Sequence, residues 1–122
     1  MGLFSGIFHK KKEAEHSKNY ELKKLALKKL KRIQKKKFSP KSFDEFVFIL
    51  RVLNEKAFKL KRTLTYEEAQ KEIKTKKIKL KLKNKIIILL KEVEEVEFGN
   101  QKIDREKLDN LISELKEIIE MS

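Results

Sequence analysis

The chain has 122 residues, a formal net charge of +13, no cysteine, three glycines and one proline. Without cysteine it forms no disulfide, thiolate metal site or cysteine nucleophile, and so few glycines and prolines do not supply the turns of a β-sandwich or barrel. The charge is uneven, because residues 1–41 hold 14 basic and 3 acidic side chains whereas residues 91–122 hold 5 basic and 10 acidic ones.

The first twelve residues, MGLFSGIFHKKK, combine apolar side chains at helical spacing with a cluster of lysines. The apolar residues are Leu3, Phe4, Ile7 and Phe8, and the lysines are Lys10, Lys11 and Lys12. Aromatic side chains enter the headgroup boundary of a bilayer while lysines meet anionic lipid. These first twelve residues, here called the apolar tip, are therefore predicted to contact a membrane. Two other interpretations stay open, a tail without fixed structure and a segment docked on the protein's own core.

Residues 13–19 are polar and are interpreted as a linker, after which a basic amphipathic helix is predicted from Tyr20 to Lys37. Its apolar stripe consists of Leu22, Leu25, Ala26, Leu30 and Ile33. The surrounding cations form a predicted site for the anions of lipid or nucleic acid, and they are Lys23, Lys24, Lys28, Lys29, Lys31, Arg32, Lys35, Lys36 and Lys37. The helix has three possible fates, which are packing on the protein, lying on a membrane and lying along nucleic acid. Lysines that only keep a domain soluble are the alternative to any such site.

A second helix is predicted from about Phe43 to Arg62, because Pro40 interrupts the first helix and Ser42 with Glu45 forms a capping box. Its apolar seam consists of Phe43, Phe46, Leu50, Leu53, Ala57 and Leu60. Phe48 and Val52 lie off that seam. Either the helix is buried on two sides, or these two residues form a surface on which a protein partner docks.

Three further elements complete the chain. Thr65 and Glu68 form a capping box before a short helix at about residues 66–74, with Ala69 and Ile73 facing inward. Residues 77–83 alternate lysine with apolar residues and are read as an extended connector or a frayed helix start. A helix then runs to about Phe98, with Gly99 at its C′ position. The last helix is capped by Asp104, with Ile103 and Leu108 as a hydrophobic staple.

Taken together, these elements predict an all-α fold. It is a compact bundle of about four helices preceded by a basic amphipathic N-terminal helix and a short apolar tip. Residues 1–41 are assigned to the basic N-terminal segment and residues 42–122 to the helical bundle domain. No apolar run approaches the roughly 20 residues that a bilayer-spanning helix needs, and the N-terminus lacks the pattern of a secretory signal.

The residues that carry catalysis or bind metals are sparse. His9 and His16 are the only histidines and lack the spacing of a metal site, and the acidic pairs are sequence neighbours that diverge by about 100° on a helix. Three isolated glycines make no phosphate-binding loop. The sequence therefore predicts a protein that is not an enzyme and that uses no metal or cofactor.

Two segments carry a resemblance to a known domain: LTYEEAQKEI (Leu64–Ile73) and VEEVEFGNQKIDREKLDNLISEL (Val93–Leu115). Residues 46–122 resemble a small cytoplasmic helical domain of prokaryotic, notably archaeal, membrane-associated and transglutaminase-associated proteins. The shared features are a short helix begun by threonine, an aromatic-plus-small pair that ends one helix, and an acidic-capped final helix. The resemblance implies a cytoplasmic helical module near a membrane, without a catalytic residue.

The leading functional hypothesis is a non-catalytic basic helical binding module, peripheral to the cytoplasmic face of a membrane through its apolar and lysine-rich N-terminus. The first alternative is a nonspecific nucleic-acid-binding protein, since clustered lysines neutralise phosphates. Only four arginines are present, however, and arginine is the usual reader of guanine edges. The second alternative is a protein–protein adaptor that uses Phe48 and Val52.

Overall fold

The computed structural model describes residues 7–61, 63–99 and 102–122, with side chains described from Tyr20 onward. Within these ranges the chain forms five helices and no strand, which confirms the predicted all-α class. The helices are α1 (Ile7–Lys35), α2 (Pro40–Ala57), α3 (Tyr66–Thr75), α4 (Leu80–Phe98) and α5 (Arg105–Met121).

α1 is one continuous helix of 29 residues, so the linker predicted at residues 13–19 is wrong. That segment contains neither glycine nor proline, and nothing in it stops a helix that is already formed on both sides. Ile7, Phe8 and the lysines at 10–12 of the apolar tip lie on the backbone of α1. Leu3 and Phe4 lie outside the described residues.

The junction between α1 and α2 differs from the predicted one. α2 begins at Pro40, with extended Ser39 as its N-cap, and the Ser39 N–H donates to Ser42 Oγ at 3.1 Å. Proline suits the first helical position because the N–H that it lacks would be unpaired there anyway. The capping box is therefore Ser39 with Ser42, and the predicted pair of Ser42 and Glu45 is wrong. α2 also ends earlier than predicted, at Ala57, and Lys59 follows in the left-handed region at φ 59°.

The predicted start of α3 is confirmed. The Glu68 N–H donates to Thr65 Oγ1 at 3.1 Å, and the Thr65 N–H donates to Glu68 Oε1 at 3.0 Å. The start of α5 is also confirmed, since Asp104 Oδ1 accepts the Lys107 N–H at 2.7 Å. These two helices are set by residues three apart in sequence, which is why the sequence alone predicts them.

The end of α4 uses glycine for a reason other than the one predicted. Gly99 is the C-cap with φ −100°, so it is not in the left-handed region. A Cβ atom at this position would lie 2.4 Å from the carbonyl oxygen of Glu95. Glycine is needed here because the backbone approaches itself closely.

The core is shared by all five helices. α1 packs against α2 and α5, α2 packs against α5, and α4 packs against α3 and α5. Leu30 of α1, Phe46 of α2, Ile73 of α3, Leu89 of α4 and Leu111 of α5 are all fully buried in one cluster. The core therefore crosses the proposed boundary between residues 41 and 42, and the division into two domains stays a prediction.

Candidate functional site

The outward face of α1 carries a row of lysines. Ala26, Leu30 and Ile33 are buried in the core, and the opposite side of the helix is exposed. Lysines at i, i+4, i+7 and i+11 share one helix face, and here they are Lys24, Lys28, Lys31 and Lys35, all of them exposed. We call these four residues the lysine stripe. Of the three fates open to the basic helix, packing on the protein is the one observed, and it leaves the lysines pointing outward.

The lysine stripe carries charges that the described side chains do not neutralise. Across the described side chains, none of the four lysines has an ion-pair or hydrogen-bond partner. The sequence explains this, because no acidic residue occurs from residue 22 to residue 43. By contrast, Lys23 is half-buried and its Nζ donates to the carbonyl oxygen of Ser122 at 2.6 Å. Lys23 therefore belongs to the packing of α1 on α5.

The other predicted anion-binding residues, Lys29, Arg32, Lys36 and Lys37, are all exposed. Some of them join the lysine stripe around an open groove of about 460 Å³, whose lining residues are Lys28, Lys31, Arg32, Lys35 and Lys36. A groove lined only by cations concentrates positive potential along the end of α1. Lys36 has a weak acidic neighbour, since its Nζ lies 3.9 Å from Glu45 Oε1.

An apolar groove lies between α1 and α2. Phe48 is 59% exposed and Leu25 is 50% exposed, and Val52 is half-buried. These three residues line the groove together with Leu22, Ala26, Lys29, Ile49 and Leu53. Leu25 was predicted within the core stripe of the basic helix, yet it lies at the edge of that stripe and faces α2. The structure thus places Phe48 and Val52, the predicted docking residues, next to the basic helix.

The open groove lined by cations at the end of α1, here called the cationic groove, and the apolar groove are parts of one surface. A third cleft of about 480 Å³ lies between them, and it shares Arg32 and Lys36 with the first and Lys29, Phe48 and Ile49 with the second. Its remaining lining includes Lys41 and two carboxylates, those of Asp44 and Glu45. We call this continuous region the α1–α2 surface.

Arg105 holds the end of α1 in place. Its Nη1 donates to the carbonyl oxygen of Lys36 at 2.9 Å, its Nη2 donates to that of Gln34, and its Nε lies 3.7 Å from Asp109 Oδ2. The last carbonyls of a helix lack partners within the helix, and a cation there also opposes the helix dipole. Sequence reasoning missed this contact because Arg105 lies 69 positions after Lys36 and 71 positions after Gln34. No local sequence pattern indicates a contact over such a separation.

A second electrostatic feature lies between α4 and α5. Burial, together with a hydrogen bond to Glu92 and the charge of Glu92, raises the pKa of Glu114 to about 7. Lys107 Nζ lies 3.5 Å from Glu92 Oε2, and Lys85 Nζ lies 2.7 Å from Glu117 Oε1. Sequence analysis found only adjacent acidic pairs, whereas this pair forms across two helices. The pair therefore places two carboxyl groups close together in the packed interface between α4 and α5.

The comparisons with known proteins were negative. No protein-family model, characterised protein sequence or solved structure matches the chain. The resemblance of residues 46–122 to a membrane-associated helical domain therefore stays a prediction.

Two observations bear on the kind of site present. Among the side chains described, no three from His, Asp and Glu are grouped in a way that could hold a metal ion. None of the helices in residues 7–61, 63–99 and 102–122 combines the length and the apolarity needed to cross a bilayer.

Proposed function

We propose that this protein is a non-catalytic module that binds the anionic surface of a membrane from its cytoplasmic side. In this proposal α2–α5 are the scaffold, and α1 makes the contact together with the apolar tip, part of which forms the start of α1. The observation that carries the proposal is the lysine stripe, which stays exposed and has no partner among the described side chains, while the opposite face of the same helix is buried in the core.

The geometry of the lysine stripe suits a flat surface. At 1.5 Å per residue, the span from Lys24 to Lys35 is about 16 Å, and its members share one face of a helix. All four ammonium groups can therefore reach the same plane together. Each lysine near an anionic leaflet contributes about 1 kcal/mol, so the whole stripe contributes up to about 4 kcal/mol at low salt.

The apolar tip supplies the second part of the proposed contact. Leu3, Phe4, Ile7 and Phe8 recur at helical spacing, and Lys10 follows them directly. Charge attraction alone is lost as salt rises, whereas inserted apolar side chains hold a protein at the bilayer when the charges are screened. The tip and the lysine stripe are therefore proposed to act together.

The proposal is tested by co-sedimentation of the full chain with vesicles of phosphatidylcholine, with and without phosphatidylglycerol, at low and high salt. We expect binding only to the anionic vesicles and weaker binding at high salt. The variant K24Q/K28Q/K31Q/K35Q is expected to lower the partition coefficient by up to about 1000-fold. The matched control K74Q/K77Q/K91Q/K102Q changes the net charge equally, at exposed lysines outside α1, and is expected to bind nearly as the original chain does.

Equal losses in the two quadruple variants would show that net charge alone attracts the protein, and the assignment to α1 would be wrong. The apolar tip is tested separately with Phe4→Ala/Phe8→Ala, which is expected to remove most of the binding that remains at high salt. Unchanged binding at high salt would show that Phe4 and Phe8 do not insert, and the proposed contribution of the apolar tip would be wrong.

Nonspecific binding of nucleic acid is the second candidate, and the groove lined by five basic side chains favours it. Such binding predicts a gel shift of duplex DNA or RNA with a steep dependence of log affinity on log salt concentration. It also predicts no effect of Phe4→Ala/Phe8→Ala. A gel shift that persists in the presence of excess anionic vesicles would favour nucleic acid over the membrane.

A further inference from the structure

The exposed apolar side chains of the α1–α2 surface have no role in the proposal above. Phe48 and Leu25 expose half of their surface or more, on two different helices, and line one groove. Single exposed apolar residues are ordinary on protein surfaces, whereas neighbouring ones mark an interaction site. The question is which occupant this groove fits.

The charged side chains around the groove distinguish between three binding partners, which are a second copy of the chain, nucleic acid and an anionic membrane. Lys29 lines the apolar groove, and Arg32, Lys36 and Lys41 line the cleft beside it, against the carboxylates of Asp44 and Glu45. Lys36 lies 3.9 Å from Glu45, which partly offsets that carboxylate. Cations therefore outnumber carboxylates next to the exposed phenylalanine.

A second copy of the chain does not fit this surface through two-fold symmetry. A symmetric dimer places the same patch, with its excess of cations over carboxylates, on both sides of the interface, so two surfaces of like net charge would oppose each other. Duplex nucleic acid accounts for the cations, but its bases are stacked inside the helix and offer no apolar boundary to Leu25 and Phe48. An anionic bilayer uses both, because it offers phosphates at its surface and an apolar boundary just beneath.

The lysine stripe and the apolar groove lie on adjoining parts of the α1–α2 surface. The cationic groove shares Arg32 and Lys36 with the cleft, and the cleft shares Lys29 and Phe48 with the apolar groove. We infer that the α1–α2 surface is a second membrane contact, in which Leu25 and Phe48 enter the headgroup boundary while Lys29, Arg32 and Lys41 hold lipid phosphates. This inference rests on the proposed function and fixes the orientation of the bound protein, with the α1–α2 hairpin lying along the bilayer.

The absence of tryptophan from the chain makes the orientation measurable, since one introduced tryptophan is the sole indole fluorophore. Phe48→Trp places it on the α1–α2 surface. Ile88→Trp is the matched control, because Ile88 is 51% exposed on α4, which packs against α3 and α5. Each variant is mixed with phosphatidylglycerol vesicles whose acyl chains carry bromine, a quencher that acts only at short range. We expect a blue shift and quenching of Trp at position 48, and neither at position 88.

A second measurement compares Leu25→Ser/Phe48→Ser with Leu80→Ser/Ile88→Ser, two pairs of exposed apolar residues of which the first lies on α1 and α2 and the second on α4. Loss of two partly inserted side chains is expected to lower the vesicle partition coefficient at least about tenfold in the first variant only.

The outcomes separate this inference from the proposed function. Vesicle binding without quenching at position 48 overturns the inference and leaves the lysine stripe as the contact. Absence of any vesicle binding overturns both. A blue shift at position 48 without vesicles, together with a dimer in sedimentation velocity, assigns the groove to a protein contact and overturns the inference.

Discussion

Glu114 shows how a single residue couples this fold to pH. Its pKa in the folded protein is about 7, against an ordinary value of 4.5, because burial and the neighbouring Glu92 disfavour its charge. The carboxyl group is neutral in the fold at low pH, and it must ionise in an unfavourable place as the pH rises. The contribution of Glu114 to stability is therefore complete below its unfolded pKa and is lost as the pH rises through about 7.

We expect the free energy of unfolding to be higher at about pH 5 than at about pH 8, and Glu114→Gln to remove much of that difference. The amide keeps the size of the side chain and never ionises. Lys107 and Lys85 face the pair and oppose the shift, so they reduce the effect without reversing its sign. Urea unfolding at both pH values measures it. His9 and His16 are present in both proteins, so equal pH dependence in the two would contradict the prediction.

The residues that sequence predicts correctly are those with a local cause. Thr65 with Glu68, and Asp104 with the Lys107 N–H, are pairs three residues apart that meet wherever a helix begins. Glu92 and Glu114 meet only because α4 packs on α5. No pattern within either helix indicates which of the ten acidic residues after position 90 will face another carboxyl group across the interface.

At the scale of helices, the end of α1 depends on a contact from α5. Arg105 donates to the carbonyl oxygens of Gln34, in the last turn of that helix, and of Lys36, which directly follows it. We expect Arg105→Ala to lower the free energy of unfolding by about 1–2 kcal/mol, since hydrogen bonds from a charged group contribute somewhat more than neutral ones. Amide hydrogen exchange at residues 32–36 is expected to quicken, because the last turn of α1 loses its cap.

Arg105→Lys is the matched control for this contact. Lysine keeps the positive charge near the helix end but lacks the planar fork that reaches two carbonyls at once. The free energy of unfolding of Arg105→Lys is expected to lie between those of the original chain and Arg105→Ala. The lysine keeps the favourable interaction of a cation with the helix dipole but loses one hydrogen bond. If exchange at the end of α1 is unchanged in Arg105→Ala, the clamp does not stabilise the helix.

Helix existence was predictable here, and helix boundaries were less so. The 3.6-residue periodicity of apolar side chains gives every described helix. The start of α2 was misplaced because Pro40 stops one helix and also begins the next, and sequence alone favours the first role. The exposure of Leu25 depends on where α2 packs against α1. The apolar periodicity of α1 does not indicate that position.

At the scale of the molecule, the sequence shows where the charge is and the fold shows which way it faces. The excess of cations before residue 42 can be counted, but exposure of the lysine stripe depends on Ala26, Leu30 and Ile33 turning the other face of α1 inward. The cleft and the apolar groove of the α1–α2 surface have lining residues from both helices, so they arise only when the two helices pair. The proposed function thus depends on which side chains share one exposed surface, and that is set by the packing of the helices.

Leu30 tests whether the basic helix and the rest of the chain form one folding unit. It is fully buried among residues of α2 and α5 in the shared core. Leu30→Ala removes buried side-chain volume and is expected to lower the free energy of unfolding by about 2–5 kcal/mol. The loss should appear in a single transition when followed by a Trp introduced at Ile88 in α4, since small single domains usually unfold all at once. If residues 42–122 fold independently of residues 1–41, the Trp at position 88 will report the same unfolding midpoint whether residue 30 is Leu or Ala. The core would then belong to two folding units.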